Sequence, residues 1–92
     1  MAVSVLIASS FHKLTGGRGR VEVEGKDMAE LIEALESRFP GMRASLLNER
    51  GQVFRHLNIY LNETDIEALD GLATSLRPGD QVAIVPAIAG GS

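Results

Sequence analysis

The stretch that decides the fold is LRPGDQVAIVPAIAGG, residues 76–91. Its PGD triplet at 78–80 is a strong turn signal, because proline fixes φ and glycine supplies conformational freedom. Val82 and Ile84 then alternate with Ala83 and Val85, and this period of two predicts a strand over 81–86. The chain is therefore predicted to finish on a strand that leads directly into a short tail of small, uncharged residues.

Two strands are predicted near the start of the chain. Val3, Val5 and Ile7 recur at every second position, and Val21 and Val23 alternate with glutamates. The polar, glycine-containing segment 9–20 between them is predicted to be a turn and loop.

A helix is predicted to begin at Asp27, whose carboxylate can accept hydrogen bonds from the free amides of the first turn. Glu30 lies three residues later, as in a capping box. The apolar residues that follow have helical spacing and predict one buried face, formed by Leu31, Ile32, Leu35 and Phe39. Pro40-Gly41 is predicted to end the helix.

The rest of the chain alternates between short elements and turns. Residues 42–47 are predicted as a short helical turn, and residues 53–62 as a strand, with Leu57, Ile59 and Leu61 on one face. A turn is predicted at 62–65, and segment 66–76 is predicted to hold a single helical turn around Leu72.

The predicted order of elements, β-β-α-β-β, favours an α+β fold in which one main helix packs on one face of a mixed sheet. In that arrangement the first and last strands lie side by side in the middle of the sheet. We predict a single domain over residues 1–86 and a flexible C-terminal tail over residues 87–92.

Composition limits the possible functions. The net charge is -3, which disfavours nucleic acid as a partner and suits docking to a basic protein surface. There is no cysteine, so disulfides, thiolate metal sites and cysteine nucleophiles are excluded. No apolar run has the ~20 residues that a membrane span needs, and no basic region precedes an apolar one at the start. We therefore expect a cytoplasmic protein that does not contact the membrane.

The residue types of an enzyme active site are not brought together by any motif. His12 and His56 share no spacing typical of metal ligands, so no metal site is predicted. No combination of nucleophile, base and orienting group is evident either. We expect a protein that other enzymes act on, without catalytic residues of its own.

The tail offers a different kind of chemistry. Gly90 and Gly91 have no Cβ, so an extended chain at this point can thread a channel that any side chain would block. The alternative is that these glycines belong to an ordinary frayed terminus.

Two stretches resemble the MoaD/ThiS family of ubiquitin-like sulfur carriers. One is HLNIYLN at 56–62, and the other is the stretch at 76–91 with its Gly-Gly ending. The sequence DGLAT at 70–74 and the longer spacing are most similar to the CysO branch of that family, which serves cysteine synthesis. The resemblance implies the ubiquitin-like β-grasp fold.

The resemblance also implies a function for Gly91. In the family, an E1-like adenylating enzyme uses ATP to activate the terminal carboxylate, which is then converted to a thiocarboxylate. A sulfur-accepting synthase takes the sulfur, and the carrier itself binds no cofactor. The synthase would be cysteine synthase-like in the CysO reading. It would be molybdopterin synthase large subunit-like or a thiamine thiazole enzyme in the alternatives.

Ser92 departs from the family pattern, because these carriers act with Gly-Gly at the free C-terminus. The resemblance implies that a JAMM-type metalloprotease removes Ser92, with Gly90 and Ala89 giving access to Gly91. The alternative is that Ser92 is left over from truncation or engineering of the chain.

A sheet with its helix on one face leaves the other face open to a partner. Alternation predicts that this face carries an apolar docking patch formed by Leu6, Ala8, Tyr60, Ala83 and Val85. The alternative is that these are ordinary half-buried strand residues. Two further functions remain open at this point: a ubiquitin-like modifier joined to other proteins through Gly91, and a β-grasp adaptor whose tail is never activated.

Overall fold

The computed structural model describes residues 2–86 of the chain. It contains a five-stranded sheet in the order β2-β1-β5-β3-β4. The strands are β1 Val3–Ile7, β2 Arg20–Val23, β3 Leu57–Leu61, β4 Thr64–Asp65 and β5 Gln81–Pro86. The α-helices are α1 His12–Thr15, α2 Met28–Arg38 and α3 Met42–Leu46, and short 3₁₀ helices span Ser9–Phe11, Ile66–Ala68 and Gly71–Ala73.

The first and last strands occupy the middle of the sheet, as predicted. β1 and β5 are parallel, and Val5 lies opposite Val82 in their register. The other neighbours in the sheet are antiparallel, which makes the sheet mixed. The predicted α+β architecture is therefore confirmed.

One face of the sheet and one face of α2 enclose an aliphatic core. Leu31, Ile32 and Leu35 of α2 are essentially without solvent contact, and so are Val82 and Ile84 of β5. The predicted apolar face of the helix is confirmed, although Phe39 is the C-terminal capping residue and only half-buried.

The start of α2 carries the predicted cap. The Asp27 carboxylate accepts a hydrogen bond from the Glu30 amide at 2.9 Å. In a capping box, the Glu30 side chain would accept a hydrogen bond from the amide of Asp27 itself. Here Glu30 Oε1 accepts instead from the amide of the preceding residue, Lys26, at 3.1 Å. Just before this cap, Gly25 lies so close to the helix that a Cβ there would come within 2.7 Å of the Leu31 amide nitrogen.

The outer edge of β2 is partly covered by the end of α2. Arg38 Nη1 donates to the carbonyl oxygen of Glu22 at 2.6 Å. This bond satisfies an acceptor that the edge strand would otherwise present to solvent or to another chain.

Segment 9–20 is not a loop, and the prediction for it was wrong. It contains a 3₁₀ turn and the short helix α1, and both Phe11 and Thr15 are buried. Gly16 ends α1 in the left-handed conformation with φ 68°. These helical turns are too short to establish a helical period, so the glycine signals dominated the prediction.

The predicted strand over 53–62 begins only at Leu57. The Phe54 amide donates to the Leu46 carbonyl at 3.1 Å, and the Leu57 amide donates to the Phe54 carbonyl at 3.1 Å. These bonds turn the chain before it enters the sheet. The ring of Phe54 also stacks on His56, with centroids 5.1 Å apart.

The turn predicted at 62–65 is a two-residue hairpin connection. Asn62 and Glu63 both have positive φ, 48° and 75°, as a tight hairpin turn requires. The chain then forms β4, a strand too short for any period to reveal. Two 3₁₀ helices follow where a single turn was predicted, and the second of them contains Leu72.

Candidate functional site

Three of the five predicted docking residues lie side by side across the open face of the sheet. Leu6 of β1 is opposite Ala83 of β5, and Ala83 is opposite Tyr60 of β3. Each is half-buried, whereas Val5, Ile59, Val82 and Ile84, which precede or follow them on the same strands, are buried in the core. Residues paired in this way have side chains close enough to touch, so the three form one continuous surface.

The other two predicted docking residues differ from each other. Val85 continues the surface along β5, opposite Asn58, and is half-buried. Ala8 lies one residue past β1 and packs against the buried core. We therefore define the open-face patch as Leu6, Tyr60, Ala83 and Val85.

A shallow depression of about 400 Å³ lies where this patch meets the start of β5. It is lined by Tyr60, Asn62, Glu63, Gln81 and Ala83. The Asn62 side chain fixes the edge of this depression through two hydrogen bonds. Its Oδ1 accepts from the Gln81 amide at 3.0 Å, and its Nδ2 donates to Asp80 Oδ1 at 3.0 Å. The sequence showed Asn62 as a turn residue but did not show these bonds.

Two charged residues that flank the open-face patch were not predicted from the sequence. Arg20 of β2 lies opposite Leu6, and Asp65 of β4 lies opposite Tyr60. Arg20 Nη2 also donates to Ser4 Oγ on the same face at 3.3 Å. Only the register places these charges next to the patch, and β4 was not predicted at all.

The open-face patch is continuous with the strand from which the tail departs. β5 ends at Pro86, which lies opposite Leu57, the first residue of β3. Gly91 is five residues farther along the chain, a separation that extended backbone spans in at most about 18 Å. Ala89, Gly90, Gly91 and Ser92 lie outside the described residues, so their predicted roles stay predictions.

Both histidines have structural contacts. A ring nitrogen of His12, Nε2, is 3.0 Å from the carbonyl oxygen of Ile7, where it closes the end of β1. His56 stacks on Phe54. Within residues 2–86, no three histidine, aspartate or glutamate side chains are grouped so that they could hold a metal ion.

None of the helices in this same range is both long and apolar enough to cross a membrane.

Comparison with known proteins identifies relatives over the whole chain. The sequence model of the ThiS family matches residues 5–91. Sulfur carrier protein CysO of Mycobacterium tuberculosis is 37% identical over 93 residues, which cover 99% of this chain and 100% of that protein. Small archaeal modifier protein 3 of Haloferax volcanii is 30% identical over 94 residues, with 99% of this chain and 100% of that protein covered.

A solved structure agrees with these sequence relationships. The crystal structure of the BexX/CysO complex of Amycolatopsis orientalis contains a chain that matches with a TM-score of 0.90 and 37% identity. The match covers 97% of this chain and 99% of the other. The fold described above is therefore the fold of that relative, which was crystallised bound to another protein.

Proposed function

Because the chain belongs to the ThiS family, we propose that it is a sulfur carrier whose C-terminal Gly91 is converted to a thiocarboxylate for cysteine biosynthesis. The observation that carries this proposal is the extent of the family match, which runs through residue 91 and so includes both glycines. The matches to CysO proteins favour cysteine over molybdopterin or the thiamine thiazole as the product.

The chemistry takes place on the carrier but is catalysed by its partners. In an E1-like adenylating enzyme, the Gly91 carboxylate attacks the α-phosphate of ATP and pyrophosphate leaves. A sulfur nucleophile then adds to the acyl carbonyl, and AMP departs with the electrons of the broken C–O bond. The resulting thiocarboxylate does the work that a thiolate does elsewhere, which a chain without cysteine cannot supply from a side chain.

The carrier contributes recognition and delivery. The open-face patch gives a partner an apolar surface in the centre of the sheet, and β5 connects this surface to the tail without an intervening element. Ala89 and Gly90 present little or no side chain, so Gly91 can enter a narrow channel. A sulfur-accepting synthase, cysteine synthase-like in this proposal, would use the same surface after the adenylating enzyme has left.

Ser92 requires a processing step before this chemistry, because the acyl group must belong to Gly91. A JAMM-type metalloprotease is the class of enzyme that we propose for its removal. A chain that is made without Ser92 would bypass this step.

The intact mass of the protein from its own host tests the proposal. We expect loss of one serine residue and exchange of one oxygen for sulfur. Gly91→Ala should abolish the sulfur exchange, whereas the matched glycine substitution Gly19→Ala, in the connection between α1 and β2, should not. A chain that keeps Ser92 and is unchanged after incubation with ATP, sulfide and host extract would contradict the proposal.

A second candidate function is a protein modifier, favoured by the similarity to Small archaeal modifier protein 3. In that case Gly91 forms an isopeptide bond with a lysine of another protein. Mass spectrometry of digested host proteins would find a lysine that is joined to a peptide remnant of this tail ending in Gly91. Sulfur transfer alone would produce the thiocarboxylate and no such remnant.

A further inference from the structure

The net charge of -3 conceals an uneven distribution along the sheet. Residues 24–30 and 63–80 together carry eight acidic and two basic side chains, a net charge of -6. The rest of the chain carries seven basic and four acidic side chains, a net charge of +3, and the two parts together give the total of -3.

Hydrogen bonds bring the parts of the two acidic segments around Lys26 and Asp80 to the end of the sheet where β5 begins. The Leu76 amide donates to the Lys26 carbonyl at 2.9 Å, which joins one segment to the other. The Ser4 amide donates to the Asp80 carbonyl at 3.0 Å, which fixes them beside β1. Part of the negative charge therefore lies at the end away from the tail, whereas Asp65 and Glu67 line the same groove as Arg55.

The opposite end of the sheet, where β5 ends, carries exposed positive charge. The Ala8 amide donates to the Ile84 carbonyl at 3.2 Å and the Ile7 amide to the Gly19 carbonyl at 2.9 Å, so segment 8–19 lies beside the end of β5. This segment contains Lys13 and Arg18, both exposed. On the other side of β5, Arg55 is exposed two residues before Leu57, the residue opposite Pro86.

These three cations, which we call the basic rim, have no side-chain hydrogen bond or ion pair within the part of the chain that the structure describes. Two of the acidic residues outside the acidic segments are already engaged. Glu33 pairs with Arg43 at 2.7 Å, and Glu36 accepts from the amides of Gly41 and Arg43. The rim is therefore free to bind a negatively charged surface.

We propose that the enzyme that activates the tail has an acidic surface around the opening that receives it, and that Lys13, Arg18 and Arg55 contact this surface. The inference rests on the proposed function, since it assumes that a partner takes up the tail. An acidic opening attracts the basic rim and repels the acidic end of the carrier. The two effects together orient the molecule tail first during approach, which raises the rate of productive encounter.

Charge reversal at matched positions tests this inference. One variant combines Lys13→Glu with Arg18→Glu at the rim. Its control combines Lys26→Glu with Arg77→Glu at the acidic end, so both variants change the net charge by the same amount. Circular dichroism first shows that each variant is folded. The assay then measures the initial rate of ATP- and sulfide-dependent modification of Gly91 in host extract. This rate is determined as a function of carrier concentration and at several salt concentrations.

We expect the rim variant to need about tenfold or more carrier for half-maximal rate, and the control to behave like the wild type. The wild-type rate should also fall as salt rises, and the rim variant should lose most of that dependence. Arg55→Glu alone, on the other side of β5, should weaken modification in the same direction and provides a second readout if the double variant folds poorly.

Two results would overturn the inference. One is an equal loss of modification rate in the rim and control variants, which would make net charge the cause. The other is an unchanged rate in every rim variant. If the wild-type protein itself is never modified, the proposed function fails and the inference fails with it. Normal modification of the wild type with insensitive rim variants would remove the inference and leave the proposed function intact.

Discussion

Asn62 and Asp80, which are 18 residues apart in the chain, join the hairpin turn after β3 to the turn before β5 through a hydrogen bond of 3.0 Å. The same asparagine accepts from the Gln81 amide, and Asp80 Oδ2 accepts from the Arg77 amide at 2.8 Å. Two exposed turns are thus held as a single unit at the start of the central strand.

We expect Asn62→Ala to destabilise the protein by about 2 kcal/mol. It removes two side-chain hydrogen bonds, each worth about 1 kcal/mol, and leaves a residue less suited to positive φ at this turn. Urea unfolding measures the loss. Asn58→Ala is the control, because Asn58 lies on β3 just before this turn and its side chain has no hydrogen bond within residues 2–86. Equal losses in the two variants would argue against the proposed role of the turn.

Gly25→Ala should also lower stability, by about 1–3 kcal/mol, which is typical when an added group has no space. The new Cβ would lie 2.7 Å from the Leu31 amide nitrogen and 3.0 Å from its Cα, so strand β2 and helix α2 would have to separate. In Gly19→Ala the nearest atom to the new Cβ is His12 Nε2 at 3.4 Å, an ordinary contact. Thermal unfolding should show a clearly lower melting temperature for Gly25→Ala and little change for Gly19→Ala. An equal decrease in the melting temperature of the two variants would contradict the steric explanation.

Asp27→Ala should cost about 1 kcal/mol, because the Glu30 amide loses its acceptor at the start of α2. Asp27→Asn keeps a side-chain oxygen at the same place and should retain most of the stability. Urea unfolding of both variants at low salt separates the cap from the charge, because urea does not screen the carboxylate. If Asp27→Asn is as unstable as Asp27→Ala, Asp27 stabilises the helix mainly through its negative charge near the helix start and not through the capping hydrogen bond.

Ala83→Glu should reduce tail modification at least about tenfold, which corresponds to about 1.4 kcal/mol of lost binding. The substitution places a charge in the middle of the open-face patch, between Leu6 and Tyr60, at a residue that is only half-buried. Gln81→Glu adds the same charge on the same face of β5, at its exposed first residue, and should have a much smaller effect. Rates in host extract provide the measurement, and equal effects of the two variants would show that the patch has no special role.

The strands and the main helix could be predicted because each carries its own period. Val3, Val5 and Ile7 are buried on one face of β1 as their alternation indicated, and Asp27 caps α2 as its spacing to Glu30 indicated. β4 could not be predicted, since Thr64 and Asp65 are too few to define a period. The late start of the predicted strand over 53–62, at Leu57, depends on the hydrogen bond from Phe54 to Leu46, a contact between different parts of the chain.

The candidate site was predictable only in part for a related reason. Leu6, Ala83 and Tyr60 follow from alternation once the strand order is known, but Arg20 and Asp65 become their neighbours only through the register. Ala8 would continue the alternation of β1, yet the chain leaves the strand there and its side chain packs against the core. The separation of charge is invisible in a total of -3, because segments far apart in the chain create it.

The parallel pairing of β1 and β5 also determines how the molecule resists force. A partner that draws the tail into a channel pulls on the end of β5, along the axis of that strand. The neighbouring strand β1 runs in the same direction, so its start lies at the end of the sheet away from the pull. The hydrogen bonds between the two strands are then loaded in shear and must break together, whereas those of a hairpin pulled at its open end break one at a time. The tail is thus attached at a mechanically strong point of the fold, and a partner can pull on it firmly without unravelling the carrier.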